Sequence, residues 1–211
     1  MVLKEARSLI EIYLFVNPLG KYCLETENKF LTLIANEKEK VHFRLIPILN
    51  PKVLQHYIVQ HHLPQKDLDY RNNLNNAIYS ACLDVKTVQL QGRHLSRKFI
   101  LSLQQQVGSL GKTYSKELVL DILSDIGANV DDFKADRQSK LVVDFFNLDQ
   151  QMSHEMNIER FSDAVIFNYH SDREFGVLVT DNTSKGDIQS LLKTDYKYKV
   201  NRFNFKDQLH N

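Results

Sequence analysis

The sequence predicts an α/β fold in which a small sheet domain is interrupted by a block of helices, and its periodicity carries that prediction. Residues 1–50 read β-α-β, helical spacing then runs from 51 to 155, and a β-β-α pattern completes the chain. A stretch as long as 51–155 would be suspect as a loop, but it carries its own apolar stripes and therefore reads as a subdomain. The expected organisation is a sheet domain from residues 1–50 and 156–211, with 51–155 as an inserted helical subdomain. Across 211 residues, 43% are hydrophobic and 25% charged, the composition of a chain that buries a core without disulfide help.

The elements follow in order. Glu11 to Asn17 is short, aromatic and β-branched, and is bounded by Asn17-Pro18, as a buried strand is. Leu24, Phe30, Leu31 and Ile34 recur at helical spacing up to about Glu37, and Glu37-Lys38-Glu39-Lys40 closes that helix. Val41 to Leu49 is a second strand ending at Asn50-Pro51; a β-α-β unit of this kind implies a right-handed crossover. In the helical block, Ile78, Ala81, Cys82, Val85 and Val88 form one stripe, ended by Gly92. Leu95, Phe99, Leu103 and Val107 form a second, stopped near Gly108. Ser115 caps a helix with Leu118, Ile122, Leu123 and Ile126 inside and Gly127 at its end. Asn129 opens a short turn presenting Val130 and Phe133, and Leu141, Phe145, Leu148 and Met152 line the last helix of the block. Residues 164–169 and 175–180 are strands joined by a short polar link, and 186–192 is a final helix.

Composition removes several function classes. Lys and Arg number 27 against 26 Asp and Glu, a net charge of +1, so there is no cationic surplus to grip nucleic acid. Two cysteines cannot build a four-cysteine zinc site or a disulfide scaffold. No apolar run reaches the length of a membrane span. The first residues carry Glu5 and lead into a strand interrupted by Glu11, unlike a signal peptide, so a cytoplasmic location is expected. His56, His61 and His62 lack a completing carboxylate or cysteine, and Pro64 ends their segment; they read as a polar helix face or loop, and no metal is expected. The tail from Lys193 to Lys206 alternates aromatic and basic residues. It reads as a terminal extension, either plain or forming a further strand with one aromatic and one solvated face that could dock a partner if it sat at a sheet edge, in preference to a stacking platform for single strands.

The β-α-β…β-β-α order with helices inserted after the second strand resembles the thioredoxin fold in its DsbA branch. The segment Phe15-Val16-Asn17-Pro18-Leu19-Gly20-Lys21-Tyr22-Cys23 is similar to that family's F-x-D-P-L-C-x-x-C, with Asn17 for Asp and Gly20 for the first cysteine. In Ile158 to Phe167, Ser162 falls where the family keeps a cis-proline. Ala77 to Cys82, Val88 to Arg93, Phe99 to Gln104, Ser115 to Leu118 and Val130 to Asp136 resemble the SpxH (YjbH) adaptor family of low-GC Gram-positive bacteria. The resemblance implies a redox-degenerate member of that family, presenting a client, the redox regulator Spx, to the protease ClpXP.

The two departures bear on mechanism. The attacking thiolate of a Cys-x-x-Cys sits at a helix N-terminus, where unpaired N–H groups and the dipole favour the anion. Gly20 has no side chain there, and Cys23, one turn inward, cannot cycle alone through an internal disulfide. A cis bond before a non-proline residue costs about 3–4 kcal/mol, so the loop at Ser162 is expected to be trans. No catalytic residue and no cofactor is therefore expected, and the site is expected to dock a partner. Cys23 reads as a monothiol sensor or, in the ordinary role of a reduced cysteine, as a small apolar helix residue; Cys82 reads as core. A Cys23–Cys82 disulfide is not what a reducing cytosol favours. The competing enzyme readings are a DsbA-family oxidoreductase with a degenerate motif, a monothiol reductase, and a glutathione-dependent relative such as the kappa-class transferases and hydroxychromene-carboxylate isomerases. The last use a Ser hydroxyl at the first-cysteine position, which Gly20 does not supply.

Overall fold

The computed structural model describes residues 9–37, 40–169, 175–180, 182–193 and 202–203. Strand β1 (Leu9–Val16) leads through a turn to α1 (Lys21–Ile34) and β2 (Lys40–Pro47). The helical block holds α2 (Pro51–Gln60), α3 (Leu68–Leu90), α4 (Arg93–Leu103), a π-helical turn (Gln104–Ser109), α5 (Lys116–Asp125), α6 (Val130–Asp136) and α7 (Lys140–Glu155). Strands β3 (Ala164–Asn168) and β4 (Gly176–Val179), helix α8 (Lys185–Leu192) and β5 (Arg202–Phe203) complete it. The five strands form one sheet in the order β2-β1-β3-β4-β5. Among the described residues no helix is long and apolar enough to cross a membrane.

The chain divides into two compact units, residues 1–14, 26–45 and 162–211 in one and 15–25 and 46–161 in the other. In the sheet unit, β3 is central and buried at every position, which is why Ala164 to Phe167 is an unbroken apolar run. It pairs antiparallel with β1, Ile12 opposite Ile166, and with β4, Ile166 opposite Val177. Gly176 is required by this packing: a Cβ there would lie 2.6 Å from Val165 Cγ1 and 2.7 Å from Phe167 Cζ. Asn168, buried at the end of β3, donates from Nδ2 to the carbonyls of Leu191 and Leu192 and so satisfies the C-terminal end of α8. The expected tail strand is present at 202–203, where β5 pairs antiparallel with β4; the rest of that aromatic-basic tail, and the 170–174 link between β3 and β4, lie outside the described residues.

In the helical unit the caps follow the sequence. Asn50, Asp67, Ser115, Asn129 and Ser139 each accept an N–H from the first turn of the helix they precede. Helix α3 runs through the middle, buried on all sides from Ala81 to Val88. Its core partners include Leu54 and Ile58 of α2 and Val142 and Phe146 of α7. Gln150 of α7 takes over where Pro47 ends β2: its Oε1 accepts from Leu49 N at 2.8 Å and its Nε2 donates to Pro47 O.

Two expectations are corrected here. The buried face of α7 is Val142, Phe146, Asp149 and Ser153, one residue round from the apolar stripe, so Leu141 and Leu148 are 49% and 58% exposed. The cause is electrostatic. Lys86 of α3 and Asp149 of α7, both buried, form an ion pair at 2.5 Å, and Lys86 Nζ also donates to Gln89 Oε1. The second correction is to geometry after α4: the segment stops near Gly108, as its stripe implied, but its last turn, Gln104–Ser109, is π-helical, and Gly108 there packs against the backbone at Lys21.

Candidate docking site at the start of α1

The turn that launches α1 is tied by its own polar groups. Asn17 Oδ1 accepts from Leu19 N at 2.9 Å, and Asn17 O accepts from Gly20 N at 3.0 Å. Gln104, fully buried in the π-helical turn, donates from Nε2 to the same carbonyl at 3.2 Å. Asn17 N in turn donates to Cys23 Sγ at 3.2 Å. A carboxylate at position 17 could make the same Oδ1 bond, so Asn17 keeps the turn geometry without the charge.

Gly20, read from sequence as standing at the attacking-cysteine position, is buried. A Cβ built on it would lie 3.2 Å from Asn17 Cβ, tighter than ordinary contact. The π-helical turn closes over the adjoining backbone: a Cβ on Gly108 would come within 2.5 Å of Lys21 N and 2.9 Å of Lys21 Cα. The helix N-terminus that elsewhere stabilises a thiolate is here packed against glycine backbone. Cys23 is 2% exposed, with its sulfur accepting the Asn17 N–H. Cys82 is fully buried in the core, and that burial pushes its thiol pKa well up. Neither cysteine forms a disulfide.

What the site does present is aromatic. Tyr22, 51% exposed, stacks on His61 with ring centroids 4.4 Å apart and planes 7° from parallel. His61 meets Tyr57 edge-on at 4.5 Å, and Tyr57 meets Phe161 edge-on at 5.6 Å. Burial, and then the neighbouring His62, lower the pKa of His61 and favour its neutral ring. Burial, with the neighbouring Cys23 next, raises Tyr57 to about 12. Sequence reading missed this ladder: Tyr22 is one of the motif's variable positions, and only the i, i+4 spacing of Tyr57 and His61 hinted at a shared face. Of the other histidines, His56 Nδ1 lies 2.8 Å from Glu159 O, and His62 adopts a left-handed φ of 53°. Among the described residues no three His, Cys, Asp or Glu side chains are grouped as metal ligands.

The fold thus brings Gly20 and Cys23 together at the start of α1. Ser162 belongs to the sheet unit, two residues before β3. It is 6% exposed and holds φ at 71°, a left-handed conformation uncommon for a residue with a Cβ. No peptide bond among the described residues is cis.

Comparison with known proteins agrees with this architecture. The chain is 26% identical over 167 residues to the ClpXP adapter protein SpxH of Staphylococcus epidermidis, covering 79% of this chain and 58% of that protein. It is 27% identical over 211 aligned residues to SpxH of Bacillus cereus, covering 90% and 70%. The chain therefore spans less than two thirds of the S. epidermidis relative's length. Among solved structures, the thiol-disulfide exchange protein α-DsbA2 from Wolbachia pipientis superposes with a TM-score of 0.59 over 90% of this chain and 82% of its own. At 14% identity that likeness shows the fold alone, a thioredoxin-like sheet with a helical insertion. A family model described as Thioredoxin (Thioredoxin_5) matches residues 13–189, and with most of its length so matched the chain belongs to the Thioredoxin_5 family.

Proposed function

We propose that this chain is a non-catalytic adaptor that presents a protein client to the ClpXP protease, the client being Spx. The observation that carries the reading is the state of the α1 start. Gly20 offers no nucleophile, Gly108 packs against the adjoining backbone, and Cys23 is buried with its sulfur accepting a hydrogen bond. A thiol so placed is poorly suited to attack a disulfide. The names of the SpxH relatives point the same way. With Ser162 at the proline position as well, both surfaces with which a DsbA-type enzyme meets its substrate depart from the catalytic pattern. The Tyr22–His61–Tyr57–Phe161 ladder supplies the docking surface that replaces them, since large rigid aromatic rings are the residues that anchor protein interfaces.

The test is degradation of purified Spx by ClpXP with and without this chain, alongside pull-down of Spx. Acceleration together with binding is the expected result; no binding and no acceleration would remove the proposal. Insulin reduction and retention on glutathione-agarose run beside it. Turnover in the first, or retention in the second, would return the chain to enzyme chemistry.

A further inference from the structure

A cavity of about 540 Å3 opens in the helical unit, lined from α3, α5 and α6 and from the segments flanking them. Its base is a fixed hydrogen-bond network. Asp84 Oδ1 takes Arg137 Nε at 2.5 Å, and Asp84 Oδ2 takes the Tyr114 hydroxyl at 2.5 Å. Arg137 Nη2 donates to both the carbonyl and the hydroxyl of Ser80, each at 3.1 Å. The guanidinium is therefore held in place while its Nη1 group, with two N–H donors, makes no hydrogen bond among the described residues. Lys116 and Lys134 are exposed, line the same cavity, and form no salt bridge among the described residues. Val119, Leu120 and Phe133 supply an apolar wall.

We propose that this cavity binds a monocarboxylate carried on a short apolar chain, its carboxylate meeting Arg137 Nη1, Lys116 and Lys134 and its chain lying on Val119, Leu120 and Phe133. Charge and shape select that class. Asp84, the one carboxylate among the described residues lining the cavity, is engaged by Arg137 and Tyr114, so the cationic donors left over are matched to an incoming anion. A dianion such as phosphate would meet the Asp84 charge with no apolar part to place on the wall. A cavity of this volume is in the range that takes small ligands, with few polar groups fixing orientation. The ligand chemistry has two sources, the C-terminus of a protein segment ending in an apolar residue and a free short-chain carboxylic acid. The inference stands apart from the adaptor reading and survives its failure.

The test is an NMR titration of the full chain with three probes: N-acetyl-Ala-Ala-Leu with a free carboxyl, the same peptide as its C-terminal amide, and hexanoate. Saturable shifts at Leu120, Phe133 and Lys134 are expected from the free-acid peptide, with affinity about tenfold above the amide. The Lys116→Glu/Lys134→Glu double variant, changed only at exposed positions, should weaken binding about fivefold or more with an unchanged melting temperature. Lys112→Glu, exposed and outside the lining, should leave it unchanged. Hexanoate binding as tightly as the peptide assigns the site to free acids; tighter peptide binding assigns it to chain ends. The proposal is overturned if neither acid saturates at millimolar concentration, if the amide binds as well as the acid, or if Lys112→Glu weakens binding as much as the double variant.

Discussion

Replacing Gly108 by alanine tests whether the π-helical turn is seated on the start of α1. Gly108 has no left-handed φ, so alanine meets no backbone objection there. The objection is contact. The added Cβ would stand 2.5 Å from Lys21 N, 2.9 Å from Lys21 Cα and 3.0 Å from Gly20 C, all backbone atoms that no side-chain rotation can remove. Reaching an ordinary separation of about 3.5 Å requires one chain to move by about 1 Å. Overpacking of this kind costs about 1–3 kcal/mol. Alanine returns about 0.5–1 kcal/mol through its better helical propensity, leaving a net loss of up to about 2.5 kcal/mol. The same substitution at Gly186, where the nearest heavy atom is Ser184 Oγ at 3.7 Å, lacks the clash and should be neutral or stabilising by up to about 1 kcal/mol. Urea unfolding followed by circular dichroism reads both. If Gly108→Ala unfolds at the same urea concentration as Gly186→Ala or higher, the turn is not packed on α1 and the occlusion of the helix start is wrong.

Other expectations follow from the same geometry. Gly20→Cys rebuilds a Cys-x-x-Cys in sequence, but its Cβ enters a buried position 3.2 Å from Asn17 Cβ; insulin reduction should stay at background, and steady turnover would contradict the buried site. On α7, Leu148→Ser should change stability by no more than about 0.5 kcal/mol, whereas Phe146→Ala should cost about 3–5 kcal/mol; the reverse ranking in urea melts would restore the stripe read from sequence. Lys86→Met should destabilise by about 3–5 kcal/mol by stranding Asp149, and adding Asp149→Leu should recover most of it. Burial, only partly opposed by Lys86, raises Asp149 to about 6. Its folded form thus binds a proton more tightly than its unfolded form, and its stabilisation is complete below the unfolded value near 3.8 and lost as pH rises through 6. The stability difference between the native chain and Asp149→Asn should therefore slope downward from pH 4 to 6, by up to about 1.4 kcal/mol per pH unit; a flat difference would refute it.

The elements were legible because their signals are local. A cap such as Ser115 bonds three residues ahead, and the unbroken apolar run of β3 follows from a strand with neighbours on both sides. That Gly20 can carry no side-chain chemistry was legible too, since this holds in any fold. The reason the position is closed was not legible. Gly108 and Lys21 are distant in sequence, and a glycine placed to let two backbones meet looks the same in sequence as one that ends a helix. The aromatic ladder was hidden for a related cause, because Tyr22 and His61 meet only once α1 and α2 are assembled.

The misplaced face of α7 shows how a buried ion pair overrides periodicity. Leu141, Phe145, Leu148 and Met152 fit a helical stripe as well as Val142, Phe146, Asp149 and Ser153, and hydrophobicity alone favours the first set. The choice is made by Lys86, which lies within a fully buried stretch of α3 and has to be met by a carboxylate. Turning α7 to bury its leucines would carry Asp149 away and strand that cation, at a cost of about 3–5 kcal/mol. Fully burying a leucine side chain returns only about 1.5–3 kcal/mol, and Leu141 and Leu148 are already half covered where they are. Turning the helix would also expose Val142 and Phe146, so the apolar exchange nearly cancels and the charge decides. Asp84, two residues before Lys86, is held in the same way by Arg137, so a helix read from sequence as an apolar stripe is anchored on two sides by ion pairs. Both pairs join α3 to later segments of the helical unit, and the second also fixes the guanidinium at the base of the cavity.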